Sequence, residues 1–305
     1  MEINAKAVAA LRAKTGIGMM DCKKALVEAN GNEEEAIKIL REKGLAVAAK
    51  KSTRIAAEGL VSILLDPQTH EAAMIEVNIE TDFAAKNAAF GEFVNDLLKI
   101  ILKTHPASVE ELLKKDFKDG LDVEAALKDK IFTIGENINI RRFVIIDGAA
   151  SSYIHGKGNI GVVVKMNKVL DHPAFAEAAK NVCLQAAAMK PAYLDPASVP
   201  ADVIAKEKEI IETQIKNDPA NAKKPEKVIG MMVEGKIKKF YSINCLTEQA
   251  YVKDDKFTVG KYIASVAKEL GEDFALTDFV LYEKGEGLEK REDNFAEEIA
   301  KLTSK

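Results

Sequence analysis

The feature that most restricts the fold of this chain is a pattern met twice. Residues 58–65 and 72–80 are apolar-rich runs separated by Asp66-Pro67-Gln68-Thr69, a hairpin signal. A helix follows from about Asn87, with Phe90, Val94, Leu97, Leu98 and Ile101 at helical spacing. The order recurs 85 residues later: SSYIHGKGNIGVVVKM offers two strands around a glycine-rich turn, and HPAFAEAAKNVCLQAAA offers the helix. Val77 precedes Phe90 by 13 residues and Val162 precedes Phe175 by 13, and both phenylalanines stand in A-F-x-E. The recurrence predicts a duplicated ββα unit with antiparallel sheets, hence an α+β core. In the first copy Ile75, Val77 and Ile79 alternate with Glu76, Asn78 and Glu80, predicting a half-buried strand whose acids face solvent.

The flanks have other textures. The first 45 residues read as three short helices. Asn4 caps the first, with Val8 and Leu11 apolar, and Thr15-Gly16-Ile17-Gly18 ends it. Asp21 is expected to cap the second, with Ala25, Leu26 and Ala29 inward and Asn30-Gly31 closing it. Asn32 and Glu35 resemble a capping box for the third, expected to end at Gly44 before a linker, LAVAAKKSTR. So small a unit leans on a partner or on the rest of the chain. Between the two copies, KIFTIGENINIRRFVII places a helix end or strand start near Ile134-Gly135. Residues 201–239 suggest a helical hairpin, with Ile204, Ile211 and Ile215 on one stripe and a turn between Asp218-Pro219 and Lys224-Pro225. FYSINCLTEQAYVKDD then reads as strand and FTVGKYIASVAKELG as helix. A glycine turn and an amphipathic helix are expected in YEKGEGLEKREDNFAEEIAKL.

Composition narrows the function classes. The 305 residues suggest about two domains, at roughly 150 residues each. With 47% hydrophobic and 30% charged residues and a net charge of −4, mixed-charge faces are expected and a duplex-DNA binder is not. No apolar window is long enough to span a membrane. Three scattered cysteines (Cys22, Cys183, Cys245) and no export signal fit a reducing cytoplasm. Lys38 to Arg54 carries six positive residues against one negative but no interleaved aromatics, which fits a solvated linker face better than an RNA contact.

Three motifs invite a chemical reading. Gly156-Lys157-Gly158-Asn159-Ile160-Gly161 spells G-x-G-x-x-G, yet a strand follows where a dinucleotide site needs a helix N-terminus. A hairpin turn is the better reading, and no Walker A, H-R-D or D-F-G accompanies it. The four histidines, His70, His105, His155 and His172, share no metal-ligand spacing. Glu76, Glu80 and Asp82 offer carboxylates for acid–base work, although exposed strand acids are usually solvated.

LRAKTGIGMMDCKKALVEANGNEEEAI, EVNIETDFAAKN, IGENINIRR and VEGKIKKFYSINCLTEQAYVKDDKFTVGKYI closely resemble the bacterial elongation factor Ts family, in order through nearly the whole chain. The resemblance implies a guanine-nucleotide exchange factor that releases GDP from elongation factor Tu, without covalent chemistry of its own. No cofactor is implied, since GDP and magnesium belong to the partner. It further implies a ubiquitin-associated-like three-helix module with linker (1–54), a core N-subdomain (55–143) and a core C-subdomain (144–280). The C-subdomain would carry a coiled-coil helical hairpin insertion (about 195–239), a possible homodimer contact, and a small C-terminal helical module would fill 281–305.

Arg12, Met19 and Met20 match positions that grip the partner's GTP-binding domain. Asp82 and Phe83, with Thr81 beside them, match the tip pushed between partner helices near its magnesium site. Ile134, Gly135 and His155 match further core contacts near the nucleotide pocket. Two positions depart from the family: valine is usual where Ala84 stands, which would trim the apolar tip, and arginine where Asn159 stands. Structural alternatives stay open. Met19, Met20 and Ile134 are also suited to core, Arg12 to a solvated helix face, His155 to a turn, and Phe83 to a cap folded over its hairpin.

Overall fold

The computed structural model describes residues 3–118, 120–221 and 224–289. The C-terminal amphipathic helix expected after Lys290 lies outside the described residues. Mixed helices and small antiparallel sheets make this an α+β protein.

Three helices open the chain: α1 (Ala5–Thr15), α2 (Met19–Glu28) and α3 (Glu33–Lys51). They share a core of Val8, Leu11, Cys22, Leu26 and Leu40. The Asn4 and Asn32 side chains cap α1 and α3 by accepting backbone N–H bonds, and Gly16 closes α1 at φ +69°. Two expectations fail here. Asp21 is not the cap of α2, which begins at Met19 behind Gly18 and leaves Asp21 in its first turn. Nor does α3 end at Gly44: it continues to Lys51, because Gly44 is buried against Phe132 and Ala48 enters the main core. The expected linker is mostly the last two turns of this helix.

The first ββα unit follows: β1 (Glu58–Leu65), β2 (Ala72–Ile79), a short α4 (Asp82–Ala85) and α5 (Ala88–Thr104). Short α6 (Val109–Leu112) and α7 (Val123–Ile134) lead to β3 (Ile138–Ile146), giving a sheet ordered β1-β2-β3. The second unit repeats this with β4 (Ala149–His155), β5 (Ile160–Met166) and α8 (Pro173–Met189). Then come α9 (Ala201–Asn217), α10 (Glu226–Asn244), a small hairpin of β6 (Ala250–Tyr251) and β7 (Asp254–Thr258), and α11 (Val259–Leu270). The last strand, β8 (Leu276–Glu283), completes a sheet ordered β4-β5-β8. Of the stretch from Phe240 to Asp255, expected as strand, the first five residues instead finish α10, where Tyr241 packs on the Ile211, Ile215 and Ile237 seam of the helical hairpin, and strand is confined to β6 and the start of β7.

The sheets stack face to face, with Val61, Met74, Ala149 and Val163 between them, so helices cover only their outer faces. That stacking overturns the expected half-buried β2. All eight of its residues are buried, because α5 covers one face and the second sheet the other. Gly161 stands at a close approach of the two sheets: a Cβ there would lie 2.5 Å from Val61 Cγ1. The last glycine of G-x-G-x-x-G therefore serves sheet packing, and the motif is the β4–β5 hairpin turn.

Glu76 is correspondingly not on a solvent face but wholly buried. Its carboxylate accepts from Arg141 Nη1 at 2.9 Å, Arg142 Nε at 2.7 Å, Gly285 N at 2.8 Å and Asn78 Nδ2 at 3.2 Å. Among the described residues Asn78 Oδ1 has no partner, since turning the amide over would set an oxygen against the carboxylate. Burial alone pushes the Glu76 carboxyl up, but the Gly285 N–H, Arg141, Asn78 and Arg142 together hold it below its ordinary 4.5.

Glu76→Ala, which strands two partly buried guanidinium groups, is expected to lower the unfolding free energy by about 3 kcal/mol in urea titrations. Because the folded-state pKa is depressed, the wild-type contribution is complete above about pH 4.5 and fades as pH falls through the folded value. Glu76→Gln should flatten that acid limb. Gly161→Ala should cost about 1–3 kcal/mol by driving a methyl into β1.

Candidate partner-binding surface

Strand β2 delivers Glu80 and Thr81 to the surface, and α4 turns the chain away at once. The Thr81 hydroxyl caps α4 by accepting the Ala84 N–H at 3.2 Å. The four-residue helix leaves Phe83 85% exposed while Ala84 is buried in the core. Phe83 does not fold over its hairpin. Ala84, expected to shape the apolar tip, is instead a core residue. Asp82 is exposed beside Lys86 at 2.6 Å, and that ammonium holds its carboxyl below the usual carboxylate range.

The tip is stapled to the segment after α7. Gly135, at φ +86°, closes α7 and redirects the chain toward β3. Glu136 then accepts from Thr81 N at 3.0 Å and from the Thr81 hydroxyl at 2.7 Å. Glu80, expected on an open solvent face, is largely covered and accepts from Asn137 N at 2.6 Å, with Arg54 Nη1 at 3.5 Å. Lys51 donates to the Gly135 carbonyl, and Asn137 Nδ2 donates to the Arg54 carbonyl at 2.8 Å. Ile134 is half-buried against the main core, so it serves packing whatever else it touches.

The second hairpin reaches the same place. His155 is exposed at the end of β4 with Nδ1 3.0 Å from the Tyr153 hydroxyl, and its carbonyl accepts the Asn159 N–H at 3.0 Å. Gly158 lies against Leu60, and its carbonyl accepts the Val61 N–H at 2.8 Å. A cleft of about 420 Å³ therefore has Asp82 and Lys86 on one wall, Lys157 and Asn159 on the other, and Glu58 and Lys284 at its base. A larger concavity, about 660 Å³, lies behind α3 and α7; Leu45, Ile55, Leu127 and Ile138 line it, and none of the expected contact residues does.

Arg12, Met19 and Met20 belong to the N-terminal helices. Arg12 is exposed, and Met19 and Met20 are 48% and 63% exposed, so neither methionine fills that unit's core. The α1–α2 turn meets α7 where Gly16 abuts the Thr133 methyl, next to Ile134. Thr81, Asp82, Phe83, Ile134, Gly135 and the hairpin following His155 thus form one neighbourhood, while Arg12, Met19 and Met20 sit on an adjoining unit. Sequence reasoning missed Glu136, Asn137, Lys51 and Arg54, which hold the tip. The available signal was Glu136 directly after a helix-ending glycine.

Among the described residues no cluster of three or more His, Cys, Asp or Glu side chains is arranged to hold a metal ion. Burial pushes the Cys183 thiol up to about 12 and the Cys245 thiol to about 11, values unsuited to a nucleophile. No described helix is long and apolar enough to cross a membrane.

Because Phe83 and Met20 contribute little to any core, Phe83→Ala and Met20→Ala should each change the unfolding free energy by less than about 0.5 kcal/mol in denaturant titrations.

The family model described as elongation factor TS matches residues 80–286. The elongation factor Ts of Clostridium botulinum (strain Eklund 17B / Type B) is 47% identical over 306 residues, covering 99% of this chain and all of the relative. That of Clostridium perfringens (strain SM101 / Type A) is 44% identical over 306 residues, with the same coverage. That of Clostridium kluyveri is 46% identical over 304 residues, covering 98% of each chain. The chain belongs to the elongation factor Ts family.

Proposed function

We propose that this chain is a guanine-nucleotide exchange factor that binds elongation factor Tu·GDP and promotes GDP release by disturbing the partner's magnesium and phosphate site. It makes and breaks no covalent bonds, and GDP and magnesium belong to elongation factor Tu. The observation that carries the reading is Phe83, a large apolar ring 85% exposed on a turn tied down on several sides. An aromatic side chain held in water by a rigid mount is already in position for a pocket on another molecule, which reduces the ordering cost of binding.

The division of labour follows from position. Phe83 wedges between partner helices with Asp82 and Thr81 beside it, Ile134, Gly135 and His155 press toward the phosphate side, and Arg12, Met19 and Met20 anchor the partner's GTP-binding domain. In this reading residues 1–54 are a ubiquitin-associated-like module with its linker, and 55–143 and 144–280 are the two core subdomains, the second running on past the expected boundary through the end of β8 at Glu283. The α9–α10 hairpin, a coiled coil, is where two copies would pair. The protein works in the cytoplasm and needs neither nucleic acid nor membrane.

Magnitudes explain why the contacts are spread out. An exchange factor binds the nucleotide-free partner better than the GDP-bound one, and linkage makes that antagonism reciprocal. Accelerating release about 10⁴-fold requires roughly 5.5 kcal/mol. Burying one phenylalanine supplies about 1.5–3 kcal/mol before ordering costs. Phe83 alone falls short, so several surfaces must contribute.

Stopped-flow release of fluorescent GDP from elongation factor Tu tests this. The wild-type chain should accelerate release, and Phe83→Ala should lose roughly tenfold to a hundredfold of that effect. A folded Phe83→Ala protein that releases GDP at the wild-type rate removes the wedge, and a wild-type chain without effect removes the exchange reading.

A further inference from the structure

We infer that Glu136 is the positioning residue for the Phe83 wedge, acting through the Thr81 hydroxyl on the helix that carries the ring; this rests on the exchange reading above. A helix of four residues has no persistence of its own, so the direction of α4 must be set from outside. One fixed point is the buried Ala84 on its inner side. The other is a relay of three bonds. Glu136 Oε2 takes the Thr81 N–H at 3.0 Å, Glu136 Oε1 takes the Thr81 hydroxyl proton at 2.7 Å, and the hydroxyl oxygen takes the Ala84 N–H at 3.2 Å.

Both carboxylate oxygens are thus spent on one residue, and charge-assisted bonds of this kind are about twice as strong as neutral ones. The pairing is reciprocal, since Glu80 takes the Asn137 N–H at 2.6 Å across the same seam. The two segments exchange carboxylates and cannot slide past one another without breaking both sets. The exposed Asp82–Lys86 ion pair at the tip is worth little in water. Glu136 is itself held in place, because the preceding Gly135 closes α7 and its carbonyl accepts from Lys51. Residues 51 and 54 at the end of the N-terminal helices therefore brace the segment that aims the wedge.

The test uses the full chain and elongation factor Tu·GDP, measuring both the maximal release rate and the half-saturating concentration. Phe83→Ala, Glu136→Ala and the double variant form one cycle, with Glu136→Gln and Thr81→Val as further variants. Glu136→Ala should lower the maximal rate roughly tenfold, the order of loss expected from misplacing a positioned group by less than an ångström. The half-saturating concentration should move far less. Glu136→Gln, which keeps an acceptor for the Thr81 hydroxyl but sets its NH2 against the Thr81 N–H, should recover only part of the rate. Thr81→Val keeps the side-chain shape and should lose as much as Glu136→Ala. In the Phe83→Ala background Glu136→Ala should cost far less of the remaining rate than it does in the wild type, because the ring being aimed is gone.

Equal losses in the two backgrounds, or wild-type rates from folded Glu136→Ala and Thr81→Val proteins, would overturn the positioning role while leaving the exchange reading intact. A wild-type chain that fails to accelerate release overturns the exchange reading and takes the positioning role with it.

Discussion

At the centre of the molecule the carboxylate of Glu76 binds together three segments far apart in sequence: its own strand, Arg141 and Arg142 on β3, and the Gly285 N–H just beyond β8. A charge taken wholly out of water costs several kcal/mol unless its lone pairs are filled, and here four donors fill them. The same guanidinium groups hold the chain beyond β8: Arg141 donates to the Glu286 carbonyl, and Arg142 pairs with the Glu286 carboxylate at 3.2 Å and lies 4.0 Å from the Tyr282 ring centre. Lys284 pairs with Glu58 on β1. The two ββα units therefore share one polar centre, and neither would keep it satisfied alone.

Close stacking of the two sheets has a second consequence at the surface. Gly158 and Gly161 let the β4–β5 hairpin lie directly on β1, where any side chain would meet Leu60 or Val61. The hairpin is thereby carried to the rim where β2 ends, and the cleft between Asp82 and Lys157 has one wall from each copy of the repeat. The candidate surface sits at the seam of a duplication, where loops from both halves converge on a rigid double sheet.

The tip illustrates how little structure is needed to present one side chain when its neighbours are fixed. Four residues of helix carry Phe83, one buried alanine anchors them, and a carboxylate from another segment sets their direction. A ring carried on a loose backbone would pay its full ordering cost at each encounter, whereas one on a backbone already fixed pays part of it during folding. The stability that finances this comes from the core behind β2, where Phe90, Phe93 and Leu97 are fully buried.

Local chemistry was legible in the sequence wherever neighbours along the chain decide the outcome. The caps at Asn4 and Asn32, the turn at Gly16, the hairpins, the helix from Ala88 and the duplicated order all follow from spacing and turn residues. The Phe83 tip was visible as a family motif, which left open whether the ring stands in solvent or folds over its hairpin. What the sequence could not reveal was set by layers stacking on layers. Alternation along β2 suggested one wet face, but a second sheet dried it and turned Glu76 from a surface acid into the buried centre. Gly44 looked like a stop until the approach of Phe132 supplied a reason for glycine inside a helix. Glu136, 55 residues from Thr81, gained its role only when α7 and β3 brought it beside the tip. Periodicity records which side of an element is apolar, while the partner that covers the other side, and the donors that meet there, exist only in the folded chain.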